Sequence, residues 1–432
     1  MHNSQLLDKY RLCLPLSKSV RARELVLDAL NGREIEIEDE NDDIFVLSRA
    51  LYNAQLSGII LDLKASGTAL RFLTAYCAVT EGEWVLSGTE RLCERPIRPL
   101  VDALRGMGAE IEYVEKEGFA PLRIVGGKLK GGRVRLDASL SSQFASALML
   151  ISDKVEGGVE IEYEGDVASQ SYIRLTENVI EKYRSGVRYS GERDWSSATV
   201  WYAVMAVLKE GRFLFEGLSL DSCQPDRKIV EVFEKLGVKT KAVENGVEIE
   251  SGGVVVDKLE LDCKNMPDAV MYIAVAACLL GVEFEISGVE TLRVKESDRI
   301  EALINEMRKC GYLIQCIMHN AQPMVLSLGE KCTIFVEQES RQKEVIFAIS
   351  EDNQTCLDCR AEQKSQPEGV IHNLQLDGQV PRIKTYNDHR IAMSMAVVGL
   401  VREIEIENRE VVNKSYPEFW REFDRVKNIY CK

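Results

Sequence analysis

Apolar and polar positions along the chain fall into a pattern that recurs. A polar loop, often holding Asp or Ser, leads into a stretch that is apolar nearly all round, then into a strand-like run that often ends at Gly. Copies begin at Ala65 (ASGTALRFLTAYCAVTEGEWVLSG), Ser139 (SLSSQFASALMLISDKVEGGVEIEYEG), Asp194 (DWSSATVWYAVMAVLKEGRFLFEG) and Asn265 (NMPDAVMYIAVAACLLGVEFEISG). Looser copies start at Asn387 and Ser17, which makes six units. A second helix follows several of these strands. It is amphipathic and ends at Gly108, Gly186, Gly237 or Gly311, the residue type that a left-handed helix cap requires. The first helix of each unit is therefore expected to be buried and the second to keep a wet face.

Repetition has a chemical corollary. Related units place their buried helices in parallel, with the N-termini at one end. Each N-terminus offers unpaired N–H groups and partial positive charge, so the expected ligands are anions. Cations do stand in these loops: Lys18 and Arg23 at the first helix, Arg95 in CERPIRP, Lys295 and Arg299 in RVKESDR, Arg390 in NDHR and Lys414 in NKSYP. Between them lie Ser19, Ser141, Ser142, Gln143 and Ser169, and the acids Asp268 and Glu296. Arg suits bidentate capture of phosphate or carboxylate, and Lys acts as a mobile point charge.

That cluster gains weight from the overall balance. The 432 residues hold 54 basic against 69 acidic side chains, a formal charge of −15, which speaks against nucleic acid as a partner. The longest nearly apolar run, Ala269 to Val282, is too short to span a bilayer and reads as a buried helix, so no membrane partner is expected. Twelve cysteines, with no apolar leader in MHNSQLLDKYR, suggest reduced thiols in a cytoplasm.

The segments SKSVRAR, SGTALRFL, ERPI, SSQFASALM, PDA, RVKESDR and NDHRIAM, in this order, resemble the 3-phosphoshikimate 1-carboxyvinyltransferase (EPSP synthase) family. The resemblance implies an α/β fold: a two-domain inverse α/β barrel of six βαβαββ-type repeats, as the six units also suggest. One domain would take residues 1–16 plus 193–432, including an insertion at about 313–380; the other would take 17–192, with substrates in the cleft between. The implied reaction moves the enolpyruvyl group of phosphoenolpyruvate onto the 5-hydroxyl of shikimate 3-phosphate and releases phosphate. No metal or organic cofactor is implied, and the expected state is a monomer.

Carried over by resemblance, Lys18 bridges both substrates, while Ser19, Arg23, Ser141, Ser142, Ser169, Tyr172, Thr291 and Lys295 hold shikimate 3-phosphate. Gln143 touches both ligands. Gly67, Arg95, Arg299, Arg390 and Lys414 hold phosphoenolpyruvate. Asp268 accepts the 5-hydroxyl proton, and Glu296 and His389 serve proton traffic. Asp268, after Pro267 and ahead of an apolar helix, also reads as a helix N-cap, and both roles can hold. His389 reads equally well as a structural histidine.

Departures from the family pattern are expected to matter locally. Ala65 and Thr291 stand where Asn is frequent, and Ser171 replaces a frequent Pro, which should loosen its loop. Only 21 residues separate Tyr172 from Asp194, short enough for a strand or hairpin to be missing. Two other functions fit parts of the pattern. The enolpyruvyl transferase acting on UDP-N-acetylglucosamine uses a loop cysteine as acid, and Cys93 lies near Arg95. A non-catalytic anion-binding relic would account for the short segment and the insertion. Within the insertion, Cys356 and Cys359 form a lone CxxC with His372 downstream, weak support for zinc. Replacing both cysteines by Ser is expected to leave turnover intact; stoichiometric zinc lost together with turnover would show a metal site instead.

Overall fold

The computed structural model describes residues 10–431 except 57, 166, 168, 188–190, 320–321, 329–332, 337–342 and 347–379. Cys356, Cys359 and His372 lie outside the described residues.

Three units share one topology. In each, two parallel strands pair, the second entered directly from a buried helix, and a later hairpin adds its second strand beside it. The first sheet runs Ile59–Asp62, Gly82–Ser87, Leu122–Gly126, Glu110–Tyr113. The second runs Tyr10–Leu12, Arg212–Glu216, Gly246–Val255, Leu236–Val243, and the third Lys258–Asp262, Glu283–Ser287, Gln322–Leu328, Ile314–His319. The third sheet narrows the expected insertion, because Ile314–His319 and Gln322–Leu328 pair as the closing hairpin of their unit. Met, Cys, His and Pro in these strands hid the alternation.

The remaining units are abbreviated. Lys130–Asp137 pairs only with Glu156–Glu164, and the helix Gln170–Arg184 that follows leads back to the crossing with no hairpin among the described residues. Arg382–Ile383 pairs with Glu405–Ile406 around the helix His389–Val398. The unit from Ser17 supplies the helices Lys18–Leu30 and Asp42–Asn53, and the alternating run REIEIE at 33–38, where the repeat calls for a strand, forms none. The chain just before this helix is engaged elsewhere: Leu16 bridges Arg193. Glu38 instead pairs with Arg21.

Two hydrophobic cores result. One runs from Val20 to Ile180; the other takes Leu12, Leu14 and apolar residues from Trp195 to Val426. The chain passes between them at two adjacent points, where Ser17 N–H donates to Glu192 O at 2.9 Å and Asp194 N–H to Pro15 O at 3.0 Å. Each core is centred on three packed helices: Lys18–Leu30, Gly67–Val79 and Ser142–Ile151 in one, Trp195–Leu208, Val270–Leu280 and His389–Val398 in the other. Val270 to Ala277 are all fully buried, so the long apolar run is a core helix as its all-round pattern predicts. No helix among the described residues is long and apolar enough to cross a membrane.

The second helices end as expected: Gly108, Gly186, Gly237 and Gly311 take φ of +99°, +80°, +86° and +85°. Leu73, fully buried in Gly67–Val79, is a test of core density. Leu73→Ala should cost about 2–5 kcal/mol in denaturant unfolding of the Val20–Ile180 core; a loss below about 1 kcal/mol would mean that this core collapses around the gap.

Candidate active site

All six core helices begin at one cleft. Lys18 and Ser19, Gly67 and Thr68, Ser142 and Gln143, Ser196 and Ser197, Asp268, and His389 with Arg390 line it together. The helix starts are capped locally. Ser66 Oγ accepts from Ala69 N–H at 3.4 Å, Ser141 Oγ from Gln143 N–H at 3.3 Å, Asp194 Oδ2 from Ser197 N–H at 2.8 Å and Asp388 Oδ1 from Arg390 N–H at 2.9 Å. Seven cationic side chains but only four carboxylates line the cleft, a local excess of positive charge in a chain of −15.

The charges are not evenly compensated. On the C-terminal side, Arg299 is 1 % exposed and meets three carboxylates: Asp388 Oδ2 at 2.8 Å, Asp268 Oδ1 at 2.7 Å and Glu296 Oε2 at 2.7 Å. Their charges outweigh its burial and raise its pKa further. Asp268 also receives Arg390 Nη2 at 3.0 Å and has Lys295 Nζ at 3.5 Å. Burial alone would raise its pKa, yet Arg390, Lys295 and Arg299 hold it well below the usual carboxylate range. Glu296 behaves alike: Lys414 Nζ, at 3.2 Å, and Arg299 overcome burial and keep it ionised. The helix Val270–Leu280 has no side-chain cap, so the carboxylate of Asp268 is committed to cations instead of the helix end.

On the N-terminal side Arg23 and Arg71 stand without such partners. Arg23, 3 % exposed, donates to Thr176 Oγ1 at 2.8 Å, Ser146 Oγ at 3.2 Å and the Ser19 carbonyl at 2.6 Å, and lies over the Phe72 ring. Burial, unopposed by a carboxylate, pulls its pKa down to about 10. Arg71, 2 % exposed, bonds only the carbonyls of Gly67 and Pro96, and burial with the nearby charge of Arg95 lowers its pKa well below normal. Arg95 packs against Gly67 so closely that a Cβ there would sit 2.1 Å from Nη1. Buried Arg71 Nε, Arg95 Nε and Gln143 Oε1 have no partner, while Gln143 Nε2 donates to Thr68 Oγ1 at 2.9 Å. The open guanidinium N–H groups of these buried cations suit an anionic guest, while the open Gln143 Oε1, an acceptor, suits a hydroxyl.

Lys18 Nζ is 2.9 Å from Asp43 Oδ2, and this pair keeps Lys18 charged despite burial. His389, 1 % exposed, has no hydrogen-bond partner at either ring nitrogen, though Asp388 Oδ1 stands 3.9 Å from Nδ1. Burial, then repulsion from Lys18 and Arg390, holds its pKa well below normal and the ring neutral. Tyr172 and Thr291 line the cleft, and Lys414 enters through its contact with Glu296. One reading changes. Ser171, expected to loosen its loop, ties it down: its N–H donates to Asn265 Oδ1 at 3.2 Å and its hydroxyl to Asn265 O at 2.7 Å, and Pro could give neither bond. Ser169 Oγ donates across the cleft to Lys264 O at 3.1 Å. Cys93 is not among the described residues that line the cleft.

Asp43, Arg71, Asp194 and Asp388 were not singled out by sequence. Asp388 and Arg71 sit inside the motifs NDHR and GTALR, and a helix-start Asp or mid-helix Arg gives no sign of what it faces. Asp226 also belongs here: burial pushes its carboxyl up to about 6, and it accepts from the cleft-lining Ser196 hydroxyl.

His389 gives a pH signature. Its folded pKa lies below the unfolded 6.5, so the unfolded chain binds more protons as pH falls through 6.5 and stability falls with it. The contribution is at most about 1.4 kcal/mol per pH unit. His389→Gln should show a shallower loss of unfolding free energy between pH 7.5 and 5.5; an unchanged slope would mean that the ring is protonated in the folded protein.

The chain can now be set beside known proteins. The family model described as EPSP synthase (3-phosphoshikimate 1-carboxyvinyltransferase) matches residues 14–328 and 355–423, leaving 329–354 unmatched between them. The 3-phosphoshikimate 1-carboxyvinyltransferase of Bacteroides fragilis is 35% identical over 95% of this chain and 94% of its own length. The enzyme of Syntrophobacter fumaroxidans is 32% identical over 97% of each. EPSP synthase from Acinetobacter baumannii has the same fold, with a TM-score of 0.63 at 20% identity over 96% of this chain and 95% of that one. With the family match running through both cores and every helix start at the cleft, this chain belongs to the EPSP synthase (3-phosphoshikimate 1-carboxyvinyltransferase) family.

Proposed function

We infer that the two sides of the cleft divide the family's reaction between them, and the uneven compensation of charge carries this reading. The reaction transfers the enolpyruvyl group of phosphoenolpyruvate to the 5-hydroxyl of shikimate 3-phosphate. Arg23, Ser19, Ser141, Ser142, Ser169, Tyr172 and Gln143 hold shikimate 3-phosphate on the N-terminal side, with Thr291 and Lys295 reaching it from the other. Arg23 lacks a carboxylate, so a phosphate gains its full charge. Arg95, Gly67, Arg390, Lys414, Arg299 and Lys18 surround phosphoenolpyruvate. Because Arg299 is already saturated by three carboxylates, its part is to set the positions of Asp268 and Glu296.

Chemistry needs the 5-hydroxyl to attack C2 while C3 is protonated; the tetrahedral adduct then loses phosphate and the C3 proton. Asp268 accepts the hydroxyl proton. Resting among Arg390, Lys295 and Arg299 it is ionised but weakly basic; anionic substrates that draw Lys295 and Arg390 toward themselves restore its basicity. The charged Lys18 ammonium supplies the proton that C3 gains, and the Glu296 carboxylate, beside neutral His389, accepts the proton that C3 later loses. The domains are proposed as 1–16 plus 193–432 and 17–192, closing on the two anions. A monomer suffices, since one chain supplies both walls, and twelve thiols suit a reducing cytoplasm.

The test is phosphate release from phosphoenolpyruvate with shikimate 3-phosphate or UDP-N-acetylglucosamine as acceptor. Release with the shikimate alone is expected; release with the nucleotide sugar would promote Cys93. Asp268→Asn should keep shikimate 3-phosphate binding and lose about 100-fold or more in kcat; undiminished turnover would remove it as the base.

A further inference from the structure

One side chain of the N-terminal core grips the backbone of the other. Arg91 lies in the short helix Glu90–Cys93 and is not among the described residues that line the cleft. Its Nε donates to the carbonyl of Glu296 at 3.2 Å, and Nη2 donates to the carbonyls of Lys295 and Arg293 at 3.1 and 3.5 Å. Nη1 is held by Glu94 Oε2 at 3.1 Å, which fixes the plane of the guanidinium. The three carbonyls belong to the end of the 3-10 turn Glu290–Val294 and the residues after it. The end of a helical turn leaves carbonyls unsatisfied and carries partial negative charge, so a cation is favoured there. In this structure it comes from the opposite wall of the cleft.

The segment so capped carries Lys295 and Glu296 into the cleft. We propose that Arg91 is a positioning residue that couples closure of the cleft to the placement of Lys295 and Glu296. When the walls meet, the guanidinium fork engages three successive points of this backbone and sets the direction of both side chains. When they part, the segment loses this cap and the two groups lose their common orientation. Arg91 does not line the cleft, and Lys295 is a single contact among several proposed for shikimate 3-phosphate, whose phosphate partners Arg23, Ser141 and Ser142 lie on the core of Arg91 itself, so the effect falls mainly on turnover.

The inference rests on the roles proposed for Lys295 and Glu296, and the experiment separates the two. Arg91→Gln and Arg91→Lys are measured for kcat and both KM values, with shikimate 3-phosphate affinity taken separately by calorimetry. Arg91→Gln should lower kcat about tenfold or more and leave that affinity within about twofold. Arg91→Lys keeps the charge without the planar fork and should fall between Arg91→Gln and wild type. A kcat within about twofold of wild type in Arg91→Gln overturns the proposal, as does a loss of shikimate 3-phosphate affinity equal to the loss of kcat. Lys295→Met and Glu296→Gln check the underlying roles: lost turnover there, beside normal turnover in Arg91→Gln, sinks only the positioning role.

Discussion

The buried guanidinium of Arg299 is the constraint on which the C-terminal wall of the cleft depends. It joins three separate parts of the chain: the 3-10 turn Pro267–Ala269 through Asp268, its own loop through Glu296, and the start of His389–Val398 through Asp388. A charge this deep costs several kcal/mol to desolvate, and only close pairing with the carboxylates offsets that cost. Removing one partner would leave buried charge uncompensated, at about 3–5 kcal/mol. Such an arrangement adds little net stability compared with an apolar core. What it gives is placement: two acids, otherwise free to titrate and rotate, are fixed as anions at one spot.

The opposite wall follows the reverse logic. Arg23 and Arg71 are buried among carbonyls, hydroxyls and aromatic rings with no carboxylate to pair with. Burial therefore lowers the pKa of both, and on the proposed reading an anionic ligand is the missing counter-charge. On the proposed reading, the acids assigned to proton transfer are already paired with cations, while Arg23, without a carboxylate, keeps its charge for the phosphate of shikimate 3-phosphate. Six helix N-termini add their partial charges to both walls. Binding and chemistry therefore draw on one fold but on two opposite treatments of buried charge.

Contacts between the walls are made largely to backbone. Arg91 grips the carbonyls of Arg293, Lys295 and Glu296, Ser169 and Ser171 meet Lys264 and Asn265, and Lys414 Nζ reaches Ala65 O at 3.3 Å. The last of these involves the position where the family often has Asn, so Ala65 contributes its carbonyl instead of a side chain. Carbonyls are usable whatever the side chain, which is why local departures from the family pattern leave the seam intact.

The repeat, the buried helices, the Gly caps and the anion-binding end of the units were legible in sequence because each is a local rule: periodicity, capping chemistry, helix dipole. The cations at the helix starts were legible for the same reason, since they recur at equivalent loop positions. The hairpin Ile314–Leu328 was not, because Met, Cys, His and Pro blur a two-residue alternation. The run at 33–38 has a sound alternation, but a strand needs a neighbour, and the chain before its helix is bridged to Arg193. Arg71, Asp43 and Asp388 escaped for a different reason. Their meaning lies in what they face, and a single charged residue in a helix looks the same whether it meets water, a carbonyl or a carboxylate. Sequence alone thus determined most of the groups that arrive at the cleft, while the tertiary structure added Arg71, Asp43 and Asp194 and decided which charges are already paired. Pairing is set by distances of about 3 Å between segments far apart in the chain, and no local rule reaches that far.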